Sequence, residues 1–71
     1  MPDSVYKIIE LVGSSSESWE KAAANAISKA SETLRELRIA EVISMDTTIK
    51  DGKIENYRTK LKVSFKFEGH H

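Results

Sequence analysis

Two long runs of strand-forming residues, joined by an Asp-Gly pair, place the strongest constraint on how this sequence folds. Asp51-Gly52 separates a run from Arg38 to Ile49 from a second run from Ile54 to Phe67. An Asp-Gly pair between such runs is typical of the two-residue turn of a β-hairpin, because both turn positions need a positive φ. In the second run apolar and mainly basic residues alternate, which predicts a strand with one face on a core. The predicted core face carries Tyr57, Thr59, Leu61, Val63, Phe65 and Phe67.

The residues before the hairpin predict a strand followed by the start of a helix. The β-branched and apolar run over residues 5–12 favours a first strand that ends at Gly13. The three serines that follow offer hydroxyls to the free amides at a helix start. Ser14 with Glu17 fits a capping box, and either of the next two serines fits the N-cap position equally well.

A change in hydrophobic period then predicts an amphipathic helix. From Trp19 as far as Leu37, apolar residues recur at three- and four-residue spacing and include an alanine-rich stripe. The order strand, helix, hairpin predicts an α+β fold, in which a three-stranded antiparallel sheet wraps on one amphipathic helix. We expect a single domain of this β-α-β-β type over residues 1–68 and a purification-tag remnant at residues 69–71.

Composition removes several classes of function. The chain has 71 residues, no cysteine, and 11 basic residues balanced by 11 acidic ones. Balanced charge gives no general attraction to nucleic acid, so no nucleic-acid partner is expected. The longest apolar run falls far short of the roughly 20 residues of a membrane span, and the start lacks the features of a signal peptide. We therefore expect a cytoplasmic protein without a membrane partner.

The hairpin predicts that one copy of the chain is not sufficient. Its strands are longer than one helix can cover. If Ala40 and Val42 face the helix, Ile39 and Ile43 lie on the uncovered side of the sheet. Small domains bury such surface and protect sheet edges by oligomerising, so we expect an obligate symmetric assembly.

Four segments, in order and without gaps, resemble the dodecin family. They are Tyr6-Lys7-Ile8-Ile9-Glu10-Leu11-Val12-Gly13-Ser14-Ser15, Ser18-Trp19-Glu20-Lys21-Ala22-Ala23, Ala40-Glu41-Val42, and the last strand from Tyr57 to Lys66. The resemblance implies a hollow homododecamer of 23 symmetry with helices outward. It also implies a non-catalytic shell that binds, stores or buffers a small ligand or ion.

The resemblance further implies a ligand pocket made of Ile39, Glu41, Ser44 and Arg58. Flavin-binding members stack the cofactor on a tryptophan where this chain has Ile39, and bond its edge with a glutamine where it has Arg58. Ser44 replaces an aspartate of some members. Isoleucine lacks a flat π-face, and arginine only donates hydrogen bonds. These departures argue against the usual flavin site, although a flavin-binding protein with a remodelled site is the alternative.

The same departures resemble a tryptophan-less branch that includes calcium dodecins. Calcium takes six to eight oxygen ligands, and symmetry multiplies each carboxylate near an axis. Glu17 is the first candidate ligand, because some dodecins hold a cation with the corresponding glutamate. Asp46, Asp51 and Glu55, near the hairpin turn, are further candidates, and ordinary surface charge is the alternative for all four.

The basic residues of the last strand leave two interpretations open. Arg58, Lys60, Lys62 and Lys66 share one face. They are typical either of an anion site or of a solvated face whose charges pair with carboxylates such as Glu41. Catalysis is not expected, because the only histidines are His70 and His71 and no serine has an evident base beside it.

Overall fold

The chain forms one helix and three strands in the predicted order. A computed structural model describes residues 5–66. Its elements are β1 (Tyr6–Ser15), α1 (Trp19–Ala30), β2 (Leu37–Lys50) and β3 (Lys53–Lys66). The sheet is antiparallel with the order β1-β3-β2, so β3 is the central strand. The predicted β-α-β-β arrangement is confirmed. Phe67 and residues 69–71 lie outside the described residues, and the tag remnant stays a prediction.

Gly13 lies inside β1, and the prediction that it ends the strand is wrong. It pairs with Thr59 of β3, and the strand continues to Ser15. A Cβ atom at Gly13 would lie 2.0 Å from the carbonyl oxygen of Ala22 and 2.9 Å from the Cβ of Ala26. The glycine is needed here because α1 crosses β1 too closely for any side chain.

The N-cap of α1 is Ser18, so the predicted cap positions are wrong. The Ser18 hydroxyl accepts a hydrogen bond from the Lys21 amide at 3.0 Å. Ser14 and Ser15 instead pair with β3 as the last residues of β1. The Ser15 hydroxyl accepts from the Glu17 amide at 2.9 Å within the connecting loop. Because the strand continues through two of the three serines, the helix begins later than the serine cluster suggests.

The helix ends at Ala30, seven residues before the end of the apolar pattern. The amides of Thr33 and Leu34 both bond back to the Ala30 carbonyl, which closes the last turn. Glu36 then has a φ of 61°, a left-handed conformation that turns the chain into β2. Leu37 packs against the core from β2 rather than from the helix. The three- and four-residue spacing of apolar residues does extend to Leu37, but Leu37 belongs to β2 and not to the helix.

The core lies between α1 and the middle of the sheet. The alanine stripe of the helix is buried against β1 and the central strand β3. The fully buried side chains of β3 are Thr59, Leu61 and Val63. The helix packs on β1 and β3 and leaves β2 at an edge with few helix contacts. Because alanine side chains are short, the helix approaches the sheet closely but buries little apolar area.

The hairpin turn is confirmed, and three irregularities shape the strands beyond it. Asp51 and Gly52 have φ values of 54° and 74°, as a two-residue hairpin turn requires. The β2–β3 register shifts near Arg38, Ile43 and Glu55, which have no partner in the ladder. Within residues 5–66, no helix is long and apolar enough to cross a membrane.

Candidate ligand site on the open face of the sheet

The face of the sheet opposite α1 is not covered by any other part of residues 5–66, and we call it the open face. Alternation along each strand from the buried positions of β3 defines its members. They are Ile8, Glu10, Val12 and Ser14 of β1, Arg58, Lys60, Lys62 and Ser64 of β3, and Ile39, Glu41, Ser44 and Asp46 of β2.

All four residues predicted for the ligand pocket lie on the open face. Ile39 is opposite Ser64 and is 67% exposed. Beside it, a hollow of about 220 Å³ is lined by Ile8, Ile39, Glu41, Lys62 and Ser64. Its lining combines two isoleucines with one acid and one base. It offers apolar area and charge to a ligand, but no aromatic surface for stacking.

Arg58 is held by a bidentate ion pair with Asp46, directly across the strand pair. Its Nε atom donates to one Asp46 carboxylate oxygen at 2.7 Å, and its Nη2 atom donates to the other at 2.8 Å. Arg58 lowers the pKa of the Asp46 carboxyl, first through this hydrogen bond and then through its charge, with a smaller contribution from Lys60. The pair joins one predicted pocket residue to one predicted metal ligand.

Asp46 also connects the open face to the helix side of the sheet. Its carbonyl oxygen accepts a hydrogen bond from the indole Nε1 of Trp19 at 3.1 Å. The Trp19 ring lies edge-on to the Tyr57 ring, with the ring centroids 5.0 Å apart. The backbone carbonyl of Trp19 accepts a hydrogen bond from the Thr59 hydroxyl at 2.9 Å. The sequence pattern placed Trp19 only at the start of the apolar helix stripe. Only the register of the strands reveals its bond to Asp46.

A second concave surface, which we call the β2 groove, lies on the helix side. It has a volume of about 360 Å³ and lies between the first turns of α1 and the uncovered strand β2. Its lining is mainly apolar and includes Trp19, Ala23, Val42 and Met45. Val42 and Met45 are 49% and 57% exposed. No residue from 5 to 66 fills the groove.

The four predicted metal ligands occupy separate places. Glu17 lies in the loop before α1, Asp51 in the hairpin turn, Glu55 at the bulge of β3, and Asp46 in the pair with Arg58. No group of three metal-ligating side chains forms within residues 5–66 of one copy. One copy therefore does not assemble a complete cation site from its described residues.

The basic stripe of β3 divides into lysines with and without facing carboxylates. Lys62 lies between Glu10 of β1 and Glu41 of β2 in one cross-strand row. Lys60 lies between Val12 and Ser44, which are uncharged. The stripe is therefore neither a uniformly basic surface nor a fully paired one.

Comparisons of the sequence with known proteins all point to the same family. A profile of the family described as Dodecin matches residues 5–68. The calcium dodecin of Mycobacterium tuberculosis is 44% identical over 63 residues, covering 89% of this chain and 89% of that protein. The dodecin of Thermus thermophilus is 41% identical over 64 residues, covering 90% of this chain and 93% of that protein.

Solved structures give the same result in three dimensions. The dodecin of Streptomyces coelicolor superposes with a TM-score of 0.93 at 34% identity, covering 99% of this chain and all of that one. The M. tuberculosis calcium dodecin, described as calcium-chelating with a novel calcium-binding site, superposes with a TM-score of 0.83. It is 41% identical, covering 96% of this chain and 97% of that chain.

The fold and the comparisons identify the class as small β-α-β-β proteins with one helix against a three-stranded sheet. Within that class, this chain belongs to the dodecin family.

Proposed function

We propose that this protein assembles as a hollow homododecamer of 23 symmetry that binds and buffers a small ligand or ion, with calcium as the ligand, and catalyses no reaction. Exposed apolar surface on both sides of β2 carries the assembly part of the proposal. Similarity to a calcium dodecin over nearly the whole chain supports calcium as the ligand.

The shape of one copy supports assembly. The Cα radius of gyration is 14.9 Å, and the molecule measures 55 × 20 × 15 Å. A compact domain of this length has a radius of gyration of about 11 Å. The long hairpin extends beyond the part of the sheet that α1 covers, so the described residues leave much of it without cover. Sister copies would supply that cover.

The surface of β2 supports the same conclusion chemically. Large apolar side chains are exposed along its length, among them Ile39, Val42, Ile43, Met45 and Ile49. β2 is also an edge strand with free backbone hydrogen-bonding groups. An exposed apolar edge beside an empty apolar groove is typical of a surface that another chain covers.

A calcium site in this protein would draw ligands from several copies. One copy contributes too few acids at any place among its described residues, whereas a symmetry axis repeats a single carboxylate. Glu17 is the preferred ligand, because its exposed loop position leaves the carboxylate available. Asp51 and Glu55 follow. Asp46 is the weakest of the four, because both of its carboxylate oxygens already accept from Arg58.

The charges of the described residues support binding rather than catalysis. Among the groups of residues 5–66, only Asp46 and Arg58 have clearly shifted pKa values, and these two neutralise each other. Residues 5–66 contain no cysteine or histidine that could act as nucleophile or base. A small-molecule shell needs neither.

Native mass spectrometry combined with calcium titration tests the proposal. We expect twelve copies per particle and saturable calcium heat in isothermal titration. Glu17→Gln should abolish that heat, whereas Glu32→Gln, an exposed acid paired with Lys29 on the helix side, should leave it unchanged. A single-copy particle would overturn the assembly, and absence of calcium heat would overturn the ligand. A yellow protein that retains flavin through purification would favour the flavin-binding alternative.

A further inference from the structure

Lys60 differs from the other charged residues on the open face. It is exposed, lies between two uncharged residues, and forms no salt bridge with any residue from 5 to 66. The neighbouring Lys62, in contrast, faces a carboxylate on each adjacent strand. A cation without a facing carboxylate keeps its capacity to attract an anion from solution.

Arg58 adds a second and better oriented set of donors. It precedes Lys60 by two residues and therefore points to the same face of β3. Asp46 occupies its Nε and one side of Nη2, which fixes the plane of the guanidinium. The remaining Nη donors bond to no residue from 5 to 66, since Asp46 takes only two of the five N–H groups of the guanidinium. A fixed arginine fork loses little entropy when it binds an oxyanion.

One serine hydroxyl, that of Ser44, extends this donor set. Ser44 is the β2 partner of Lys60, on the strand that also carries Asp46. It is exposed, and its hydroxyl bonds to no other residue in the described part of the chain. These residues and Asp46 together combine two cations, one hydroxyl and one carboxylate, which leaves one net positive charge.

From this arrangement we propose that Lys60, Arg58 and Ser44 form a binding site for the phosphate group of a small ligand. Tetrahedral phosphate accepts several charge-assisted hydrogen bonds at once, which suits two cations beside a hydroxyl. The site deepens the proposed function by naming an anionic class of ligand for the open face. It rests on that function only in requiring that the open face stays accessible in the assembly.

Titration with inorganic phosphate at constant ionic strength, followed by phosphorus NMR, tests the site on the full protein. Lys60→Gln should weaken phosphate binding about tenfold, the loss expected for one charge-assisted hydrogen bond. Asp46→Asn should tighten it about threefold, because it removes the competing carboxylate. Lys29→Gln and Glu32→Gln make the same changes in charge on the helix side, and neither should alter binding.

The opposite effects of Lys60→Gln and Asp46→Asn separate a built site from a general charge effect. Equal weakening by Lys60→Gln and Lys29→Gln, or no saturable binding by the unaltered protein, would overturn the phosphate site. Circular dichroism of each variant checks its fold. Native mass spectra and calcium titrations of the same samples report the assembly and the calcium site separately, so failure of one proposal leaves the others readable.

Discussion

Asp46 is the residue at which the two sides of the sheet are linked. Its carboxylate pairs with Arg58 on the open face, while its carbonyl accepts from Trp19 on the helix side. Both contacts are exposed to solvent, so each contributes modestly to stability. Together they fix the orientation of Arg58 and the position of the first turn of α1.

The Asp46–Arg58 pair predicts a pH dependence with a defined sign. The hydrogen bond from Arg58 lowers the folded-state pKa of Asp46 below its ordinary value of 3.8. The pair therefore stabilises the fold above that ordinary value, and this contribution is lost as the pH falls through the lowered pKa. Arg58→Gln should raise the Asp46 pKa toward 3.8, as carboxyl-carbon NMR would measure.

The control for this titration is Lys29→Gln, which removes a positive charge far from Asp46 along the chain and on the other side of the sheet. It should leave the Asp46 titration unchanged. An Asp46 midpoint at or above 3.8 in the unaltered protein would contradict the ion pair.

At the scale of the element, the position of α1 depends on one cap and one close approach. Ser18 satisfies a free amide of the first turn, and Gly13 allows the helix backbone to approach β1. The alanine stripe then reaches Leu61 and Val63 of β3. A side chain at Gly13 would push the helix away from β1, and the short alanines of the stripe could not bridge the gap.

Substitution of two serines distinguishes the true cap from its neighbour. Ser18→Ala should lower the free energy of unfolding by about 1 kcal/mol, because it leaves the Lys21 amide without its partner. Ser16→Ala should change it by less than about 0.5 kcal/mol, as is usual for exposed positions. Urea denaturation at one fixed protein concentration measures both. A larger effect at Ser16 would contradict the cap at Ser18.

At the scale of the whole molecule, one copy is a sheet with incomplete cover. The helix lies over β1 and β3, and none of the described residues fills the β2 groove beside Trp19. If assembly fills this groove, the stability of the subunit and its oligomeric state cannot be separated, and unfolding depends on protein concentration.

Val42 provides the sharpest test of this dependence. In a lone copy it is half-exposed, so Val42→Glu would change stability by only about 0.5 kcal/mol or less. In the proposed assembly the same substitution places a charge in an apolar contact, and we expect native mass spectra to show smaller particles. Ala24→Glu, at an exposed position of α1, adds the same charge and should leave the assembly intact. Intact dodecamers of Val42→Glu would contradict a role for the groove.

Local patterns in the sequence were sufficient to predict the helix and the three strands, but they predicted less well where these elements begin and end. The Asp51-Gly52 turn and the alternation of β3 depend on backbone conformation and period, which neighbouring residues set. The strand end at Gly13 and the cap at Ser14 were wrong, because both depend on where α1 and β3 contact β1. A glycine in sequence does not reveal whether it serves a turn or a close approach.

The residues of the candidate site could be selected in advance, but their partners could not. The resemblance to dodecins picked out Ile39, Glu41, Ser44 and Arg58, and alternation alone puts Arg58 and Lys60 on one face. Asp46 was considered only as a metal ligand. Its pairing with Arg58 depends on the register across the hairpin, which lies outside any local pattern.

The bulges of the hairpin mark the division between what the sequence determined and what the tertiary structure decided. The sequence determined a two-residue turn, two long strands and an apolar helix stripe, since each follows from the conformational preferences of adjacent residues. A regular ladder from that turn would place Asp46 opposite Tyr57, on the helix side. The unpaired Glu55 shifts the register so that Asp46 faces Arg58, and the unpaired Ile43 restores it so that Val42 faces Leu61. Only packing of the whole sheet fixes where such residues are inserted, because a bulge gains its stability from the contacts it aligns on both faces.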